Sequence, residues 1–360
     1  MRWTLYTLGF LGFYGTWIRS ALNGTLSILF GSLHVTGTLP GGELPLKTSL
    51  TGIYWPLDYL LNMLIVFFWQ AVDGSHPSTS LFGLYFAGQH LAVIVTLYVD
   101  SYKTKKAQSW KLSFIPLTTS LGYVLLVVAM AIPSTGPRAT VSLETQQVAV
   151  ALWNVFPIFT GLLQWTFDTI FCSSDDSNTT SSKKSSASNA ELLFALRRAY
   201  AFAMFVSFAA HIAALTATFS TVLFPALLSI AASQTLKPGT IFRLPLSHAE
   251  VYSMGSGALQ FLQWDLFTGF LTLLIPATAK YHSSQTKAGK SESVVTLVLK
   301  LLAAVALVGP GAAFVGIRWM DDEAGWRQEE SGAPSKRKYK IRREEVSFAC
   351  GTWISYILNH

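Results

Sequence analysis

Read as a pattern of apolar and polar positions, the chain is a series of long apolar runs separated by short polar segments. A helix needs about 20 apolar residues to cross the hydrocarbon core of a bilayer. Eight stretches approach or exceed that length: Leu5–Leu22, Tyr54–Val72, Ser80–Val99, Leu112–Ile132, Val148–Phe171, Leu192–Ala214, Gly257–Ala279 and Val294–Ile317. A ninth, Ala217–Ala232, is shorter and contains Pro225, so it either spans or re-enters. The expected fold class is all-α: a polytopic transmembrane helical bundle of 8–9 spans over residues 1–317, followed by a charged cytosolic tail over 318–360.

Charge sharpens this reading. Of 45 Asp, Glu, Lys and Arg residues, 15 fall in 318–360, leaving 30 for the first 317 positions. A soluble domain averages about 25% charged residues, so the body of this chain has too few to cover a water-exposed surface. The net charge of +7 comes from Lys and Arg bunched between apolar runs and does not call for nucleic acid. Such bunching marks cytoplasmic loops. With Ala217–Ala232 counted as a span, Lys and Arg divide 17 against 5 between the two sides. That count favours nine spans, a lumenal amino terminus and a cytosolic tail, in the endoplasmic reticulum membrane. The opening Met1-Arg2 and its apolar run read as a retained first span, because no small-x-small cleavage site follows. Both sequons, at Asn23 and Asn178, then face the cytosol. Cys172 and Cys350 are too few for a disulfide framework or a cysteine-based metal site. The tract 173–189 reads as a flexible linker, and the absence of an internal repeat weighs against many transporter folds.

An ionisable group inside a membrane helix is costly and by default functional. The main ones are Asp58, His90, Asp168, Arg197, Arg198, His211, Asp265 and Lys300. Asp58 follows Pro56 in a first helical turn, where a carboxylate is favoured by the dipole. It also shares a face with Trp55, Asn62, Ile65 and Trp69, which is more than a cap needs. Asn154, Pro157, Gly161, Gln164 and Asp168 recur at intervals of 3, 4, 3 and 4, a polar seam that either lines a cavity or serves as glue between helices. Asp265 lies with Phe261 and Trp264, well inside the Gly257 span, with Gln260 and Gln263 on the other side of the helix. A carboxyl alone at that depth is expected to stay protonated, because its charged form is poorly solvated. On nine spans, the Asp58 and Asp265 helices both start on the cytosolic side and share a cavity with Asp168. His90 either hydrogen-bonds a substrate or a neighbouring helix. Arg197 and Arg198 are expected to snorkel, and Lys300 to pair or snorkel. Asp175-Asp176 and Asp321-Asp322 lie outside the expected spans, which argues against a magnesium-diphosphate site, and no other metal or nucleotide signature is present.

A protonated carboxyl in an apolar cavity can open an epoxide or protonate an alkene, and nearby aromatic faces stabilise the developing cation. Three stretches resemble the fungal membrane-bound terpene cyclases of the ascofuranone and paxilline type. They are Trp55-Pro-Leu-Asp-Tyr-Leu-Leu-Asn62 running to Trp69, Trp153-Asn-Val-Phe-Pro-Ile158 with Gln164, and Phe261-Leu-Gln-Trp-Asp265. The resemblance implies acid-started cyclisation of a prenylated aromatic or other meroterpenoid, with a small-molecule isoprenoid substrate, the bilayer as partner, and no metal, nucleotide or other cofactor. It favours Asp58 and Asp265 as catalytic residues. Trp55, Asn62, Trp69, His90, Asn154, Gln164, Asp168, Phe261 and Trp264 are then the substrate-binding candidates. A small-molecule transporter and a non-catalytic membrane scaffold of a biosynthetic pathway are the other classes that the residues allow.

Overall fold

The computed structural model describes residues 2–104, 109–136, 139–172, 184–289 and 292–330. Among these the fold is all α, and the one strand-like feature is an isolated bridge between Thr38 and Pro45. In chain order the helices are α1 (Arg2–Phe13), which continues through a π-helical turn Tyr14–Ile18 into α2 (Arg19–Leu22), and α3 (Thr25–Gly31). Next come α4 (Trp55–Val72), α5 (Pro77–Thr104), α6 (Ser109–Ala131), α7 (Leu143–Asn154) and α8 (Phe156–Cys172). The series ends with α9 (Lys184–Leu223), α10 (Ile230–Thr235), α11 (Pro238–Phe242), α12 (Met254–Lys287), α13 (Val294–Val308) and α14 (Pro310–Glu330). Five of them, in α4, α5, α6, α9 and α12, are long and apolar enough to cross a membrane, and the pair α7–α8 makes a sixth if its 59° bend is one span.

Contacts fix the direction of each helix relative to α12. Gly12, Gly15 and Thr25 abut Thr268, Trp264 and Gly257 respectively, so the chain from α1 to α3 passes α12 in the opposite sense. Gly15 is required there, since a Cβ would lie 2.3 Å from the Trp264 ring. Gln70 accepts from Gly255 N at 2.6 Å and Phe67 meets Phe261, so α4 is also antiparallel to α12. Thr79 donates to Gly255 O and His90 packs on Phe270, so α5 is parallel to it.

This geometry changes the expected topology in three places. Ala217–Ala232 is not a separate span: 217–223 completes α9, and the chain breaks at Phe224 into a short 3₁₀ turn, Pro225–Leu227. Proline lacks an N–H and cannot extend the helix. The expected Val294–Ile317 span is a hairpin. Gly309, at φ +89°, turns the chain beside Gln89 in the middle of α5, and α14 returns alongside α5, from Gly311 at Gln89 to Asp322 at Lys103. Residues 37–53, expected as a plain loop, run along α4 from Gly41 at Gln70, through Thr48 at Asn62, to Thr51 at Asp58. The stretch therefore carries the chain from one end of the bundle toward the other. The starts of α4 and α12 consequently lie at opposite ends, not on one side, and the start of α1 lies at the end where α5 and α12 finish.

That end is closed by ion pairs. Lys103 pairs with Asp100 and Asp322, Arg318 with Asp100, Lys280 with Asp321, and Arg197 with Glu323 through two bonds of 3.0 and 2.7 Å. Tyr200 donates to Asp322 at 2.6 Å. Asp321 and Asp322 are buried inside this cluster rather than free in water, and Arg197 is paired rather than snorkelling. Helix α14 passes residue 318 without a break and packs Trp326 into the core, while 331–360 lie outside the described residues. At the opposite end the start of α12 is stitched down. Ser253 caps the helix by accepting from Ser256 N, and its hydroxyl meets His76 Nε2 at 2.8 Å. Burial pulls the His76 imidazole below its ordinary pKa, with Asp73 opposing.

Among the described residues the connections at the ion-paired end carry Lys103, Lys111, Lys184, Lys280 and Lys287, against Lys47, Lys237 and Arg243 at the other. The positive-inside rule predicts that the ion-paired end faces the cytosol, with the amino terminus on the same side. The expected outcome of cysteine labelling, after Cys172 and Cys350 are replaced by Ser, is that Ala288→Cys reacts with an impermeant maleimide in intact microsomes. Ser75→Cys should react only after permeabilisation, and an amino-terminal tag should be protease-sensitive in intact vesicles. A tag protected on the side opposite Ala288 would sink this topology.

Candidate active site

On α4 the stripe Asp58, Asn62, Ile65 and Trp69 is buried, as its spacing predicts, but it faces the protein's own irregular segment. Asp58 Oδ1 accepts from Thr51 N at 2.7 Å and Thr51 Oγ1 at 2.8 Å, and Oδ2 accepts from Gly52 N at 3.1 Å. Backbone outside a helix at this depth needs such partners, because lipid supplies none. Asn62 Nδ2 donates to Thr48 O at 3.0 Å, while its Oδ1 is buried with no partner. Trp69 is a core residue, 1% exposed. Trp55 departs from the stripe, being 74% exposed and stacked on Tyr59.

The seam of the fifth apolar run is not continuous. Asn154 ends α7 and donates to Val150 O; Val155 turns, and α8 leaves at 59° with Pro157 in its first turn. Gln164 donates to Thr118 Oγ1 at 2.6 Å and Thr160 to Thr118 O, so this face holds α8 against α6. Asp168 falls in α8, with its side chain outside the described residues. Gln89 is likewise interhelical: it donates to Ser207 O and accepts from Ser207 Oγ and Gly311 N. His90 uses Nδ1 on Phe86 O, stacks on Phe86 at 3.9 Å and meets the edge of Phe270.

Asp265 is different. It is half-buried, and its carboxyl has no hydrogen bond or ion pair among the described residues. It lies about 16 Å along α12 from Met254, at 1.5 Å per residue. One turn earlier, Phe261 meets Trp17 of the π-helical turn at 5.6 Å and Phe67 of α4 at 5.1 Å. The rings continue through Phe68 to Trp153 of α7, each step 4.9 Å and edge-to-face. One turn later, a Cβ at Gly269 would meet nothing within 4 Å, so open space adjoins the acid. Trp264 is fixed on the α1 side: its indole N–H donates to Pro245 O at 3.0 Å and the Arg19 guanidinium lies 5.5 Å from the ring. Because α4 and α12 are antiparallel with Phe67 opposite Phe261, Asp265 is level with Met63, and Asp58 lies about 7.5 Å farther along the axis.

The structure thus gathers Asp265, Phe261, Phe67 and Trp17 where α12 meets α4 and the π-helical turn. It turns Asp58 and Asn62 to the irregular segment on another face of α4, and leaves Gln164 on the α6–α8 contact and Asn154 bonded within α7. Sequence reasoning passed over Arg19, Trp17 and Phe67. Arg19 carried a signal, as a charge inside the first apolar run; it is buried and donates to Leu246 O and Ser247 O. Trp17 and Phe67 carried none beyond being aromatic. Among the described residues no group of three His, Cys, Asp or Glu side chains is placed to hold a metal ion.

An all-helical body with an unpartnered acid among aromatic rings defines a class of membrane-type helical protein with one candidate acidic site. Comparison then places it: a family model described as the CtvD domain matches residues 1–113 and 101–324, and the chain belongs to that family. It is similar to "Terpene cyclase ctvD" of Aspergillus terreus, at 26% identity over 89% of this chain and 97% of that protein. It is also similar to "Terpene cyclase janA" of Penicillium janthinellum, at 23% identity over 85% and 90%. "Terpene cyclase ascI" of Acremonium egyptiacum is 23% identical over 91% and 94%. No solved structure matches the chain.

The loop clasp generates a test. Asp58→Asn removes one acceptor and turns an amide N–H toward a backbone donor, so the detergent-solubilised variant should melt lower. Protease should cut between Thr48 and Tyr54 several-fold faster than in the wild type. Thr51→Val, which keeps the carboxylate, should show a smaller effect in the same direction. Unchanged cleavage in both would mean that the clasp does not hold the segment.

Proposed function

We propose that the protein is an integral membrane terpene cyclase of the endoplasmic reticulum. It protonates an epoxide or alkene of a prenylated aromatic or other meroterpenoid and guides the resulting cation through ring closure. The observation that carries this reading is Asp265, an acid left without a polar partner beside ring faces and open space, in a chain whose curated relatives are named terpene cyclases. In its acid form a carboxyl so placed is a proton donor.

In this reading the Asp265 O–H gives its proton to the epoxide oxygen as the C–O bond breaks. The nearest alkene supplies the electron pair for the first carbon–carbon bond, and each new cation is attacked by the next alkene. The sequence ends when a C–H proton leaves, so the product is an isomer and no redox partner is consumed. Phe261, Phe67 and Trp17 face the developing charge, an attraction that grows as water is excluded. Asp58, bonded to Thr51 and Gly52, is a positioning residue that holds the segment beside α4, and Asn62 Oδ1 there is an acceptor without a partner among the described residues. His90 Nε2 has no partner among the described residues, and the ring packs on the same helix, which fits the terminal proton acceptor. Trp264, Trp69 and Gln164 are positioning residues, acting through the helices they fix.

Microsomes supplied with an epoxyfarnesyl aromatic or an epoxygeranylgeranyl indole should form products of unchanged mass. Asp265→Asn, which keeps size and hydrogen bonding but cannot give up a proton, should lower turnover per folded enzyme by ~10²–10⁴, the usual loss for a general acid. Near-normal turnover in Asp265→Asn would overturn the donor assignment. Gly269→Phe should fill the space beside the acid and raise KM more for the longer prenyl chain than for the shorter one; equal effects on both would place the substrate elsewhere.

A further inference from the structure

Gln260 and Gln263 lie on the face of α12 opposite Asp265, and the chemistry above leaves them unused. They help line a cavity of about 300 Å³ between the first turns of α12 and the segment 239–245, with Gly239, Thr240, Arg243, Pro245, Ser256 and Leu259. That is the small end of the ~300–1,000 Å³ typical of ligand sites.

The polar groups around it are arranged with an excess of donors. Asn23 Nδ2 donates to Gln260 Oε1 at 3.1 Å, which fixes the amide and leaves both Gln260 N–H groups without an acceptor among the described residues. Ser256 Oγ accepts from Ser253 Oγ, so its own proton is unspent. The Thr240 hydroxyl and the Arg243 guanidinium have no hydrogen bond or ion pair among the described residues. Gln263 gives both amide protons to Thr240 O and Ile241 O, leaving Oε1 as the one free side-chain acceptor. No carboxylate lines the cavity. A guanidinium and a hydroxyl on the exposed residues Arg243 and Thr240, with the Ser256 hydroxyl and the Gln260 amide, line one open groove with donors. That set matches an oxyanion, and Arg pairs most strongly with phosphate and carboxylate oxygens.

We infer that this cavity binds a phosphate group, carried either by a phospholipid headgroup or by a soluble phosphate, at the end of the bundle opposite the ion-paired one. The site stands apart from the proposed cyclisation. Bound phosphate braces the segment whose Pro245 carbonyl holds Trp264, so its occupancy is read as stability of the full-length protein.

The test uses detergent-purified, delipidated full-length protein and the melting temperature as readout. In one arm inorganic phosphate is titrated at constant ionic strength against chloride; in the other the protein enters nanodiscs of phosphatidylinositol in phosphatidylcholine, or of a phosphate-free galactolipid. A rise in melting temperature with inorganic phosphate identifies a soluble ligand. A rise only in the phospholipid discs identifies the headgroup. In either case Arg243→Gln should weaken the response at least fivefold, while Arg198→Gln, an exposed arginine at the other end, should leave it intact. No response in either arm, or an equal response in Arg243→Gln, overturns the assignment. Thr240→Val supplies a second variant that keeps the charge and should weaken binding less.

Discussion

The depth of the candidate acid depends on how the first turn of α12 is tied down. Gly255 gives its N–H to Gln70 of α4 and its carbonyl to Thr79 of α5, while Ser253 meets His76 and Gln260 meets Asn23. Four segments therefore hold one helix start, and glycine at 255 and 257 lets His76 and Thr25 approach. From that fixed point the helical rise alone determines that Phe261 meets Phe67 and that Asp265 falls one turn deeper. The unpaired N–H groups of a helix start need partners wherever water is scarce, and here the partners also set the register of α1, α4 and α5 against α12. Local satisfaction of backbone polarity and placement of the acid are one constraint.

The helical body was legible in the pattern of apolar runs, and so were the buried faces of α4 and α12, because period and length follow from helix geometry. Direction was not. Hydropathy measures whether a segment is long and apolar enough to cross; it does not say whether the chain returns. Gly309-Pro310 reads in sequence as an interruption, and only contact with Gln89 makes it the tip of a hairpin. Residues 37–53 are too polar and irregular to register as a passage along the bundle, yet Asp58 and Asn62 supply the bonds that let them run there. Three such reversals were enough to put the starts of α4 and α12 at opposite ends.

The same ambiguity governs polar stripes. Regular spacing shows that a set of side chains shares a face, and a face buried against the protein's own backbone looks the same in sequence as one lining a cavity. Asn154 and Gln164 have the spacing of a seam, but the break at Val155 separates them, and Thr118 accounts for the Gln164 amide. Gln89 is explained by Ser207 and Gly311. In each case the polar group in the apolar body is matched to a named partner, as expected where an unmatched one costs free energy.

That matching gives Asp265 its significance. Lys103, Arg318, Asp100 and Asp322 are paired within one cluster, Asp58 accepts from Thr51 and Gly52, and His211 Nε2 meets Ala306 O. The lone carboxyl between Phe261 and Gly269 has no partner among the described residues that gives it a structural use, and alanine or leucine would pack there at lower cost. A destabilising residue retained in such surroundings points to chemistry rather than packing. Asparagine would satisfy a need for hydrogen-bonding glue, and a carboxyl held at a cation-stabilising surface has the further property of giving up a proton there. Asn62 Oδ1, His211 Nδ1 and Thr278 Oγ1 are also buried without hydrogen-bond partners among the described residues, so what singles out Asp265 is an acid without a partner beside aromatic faces and open space.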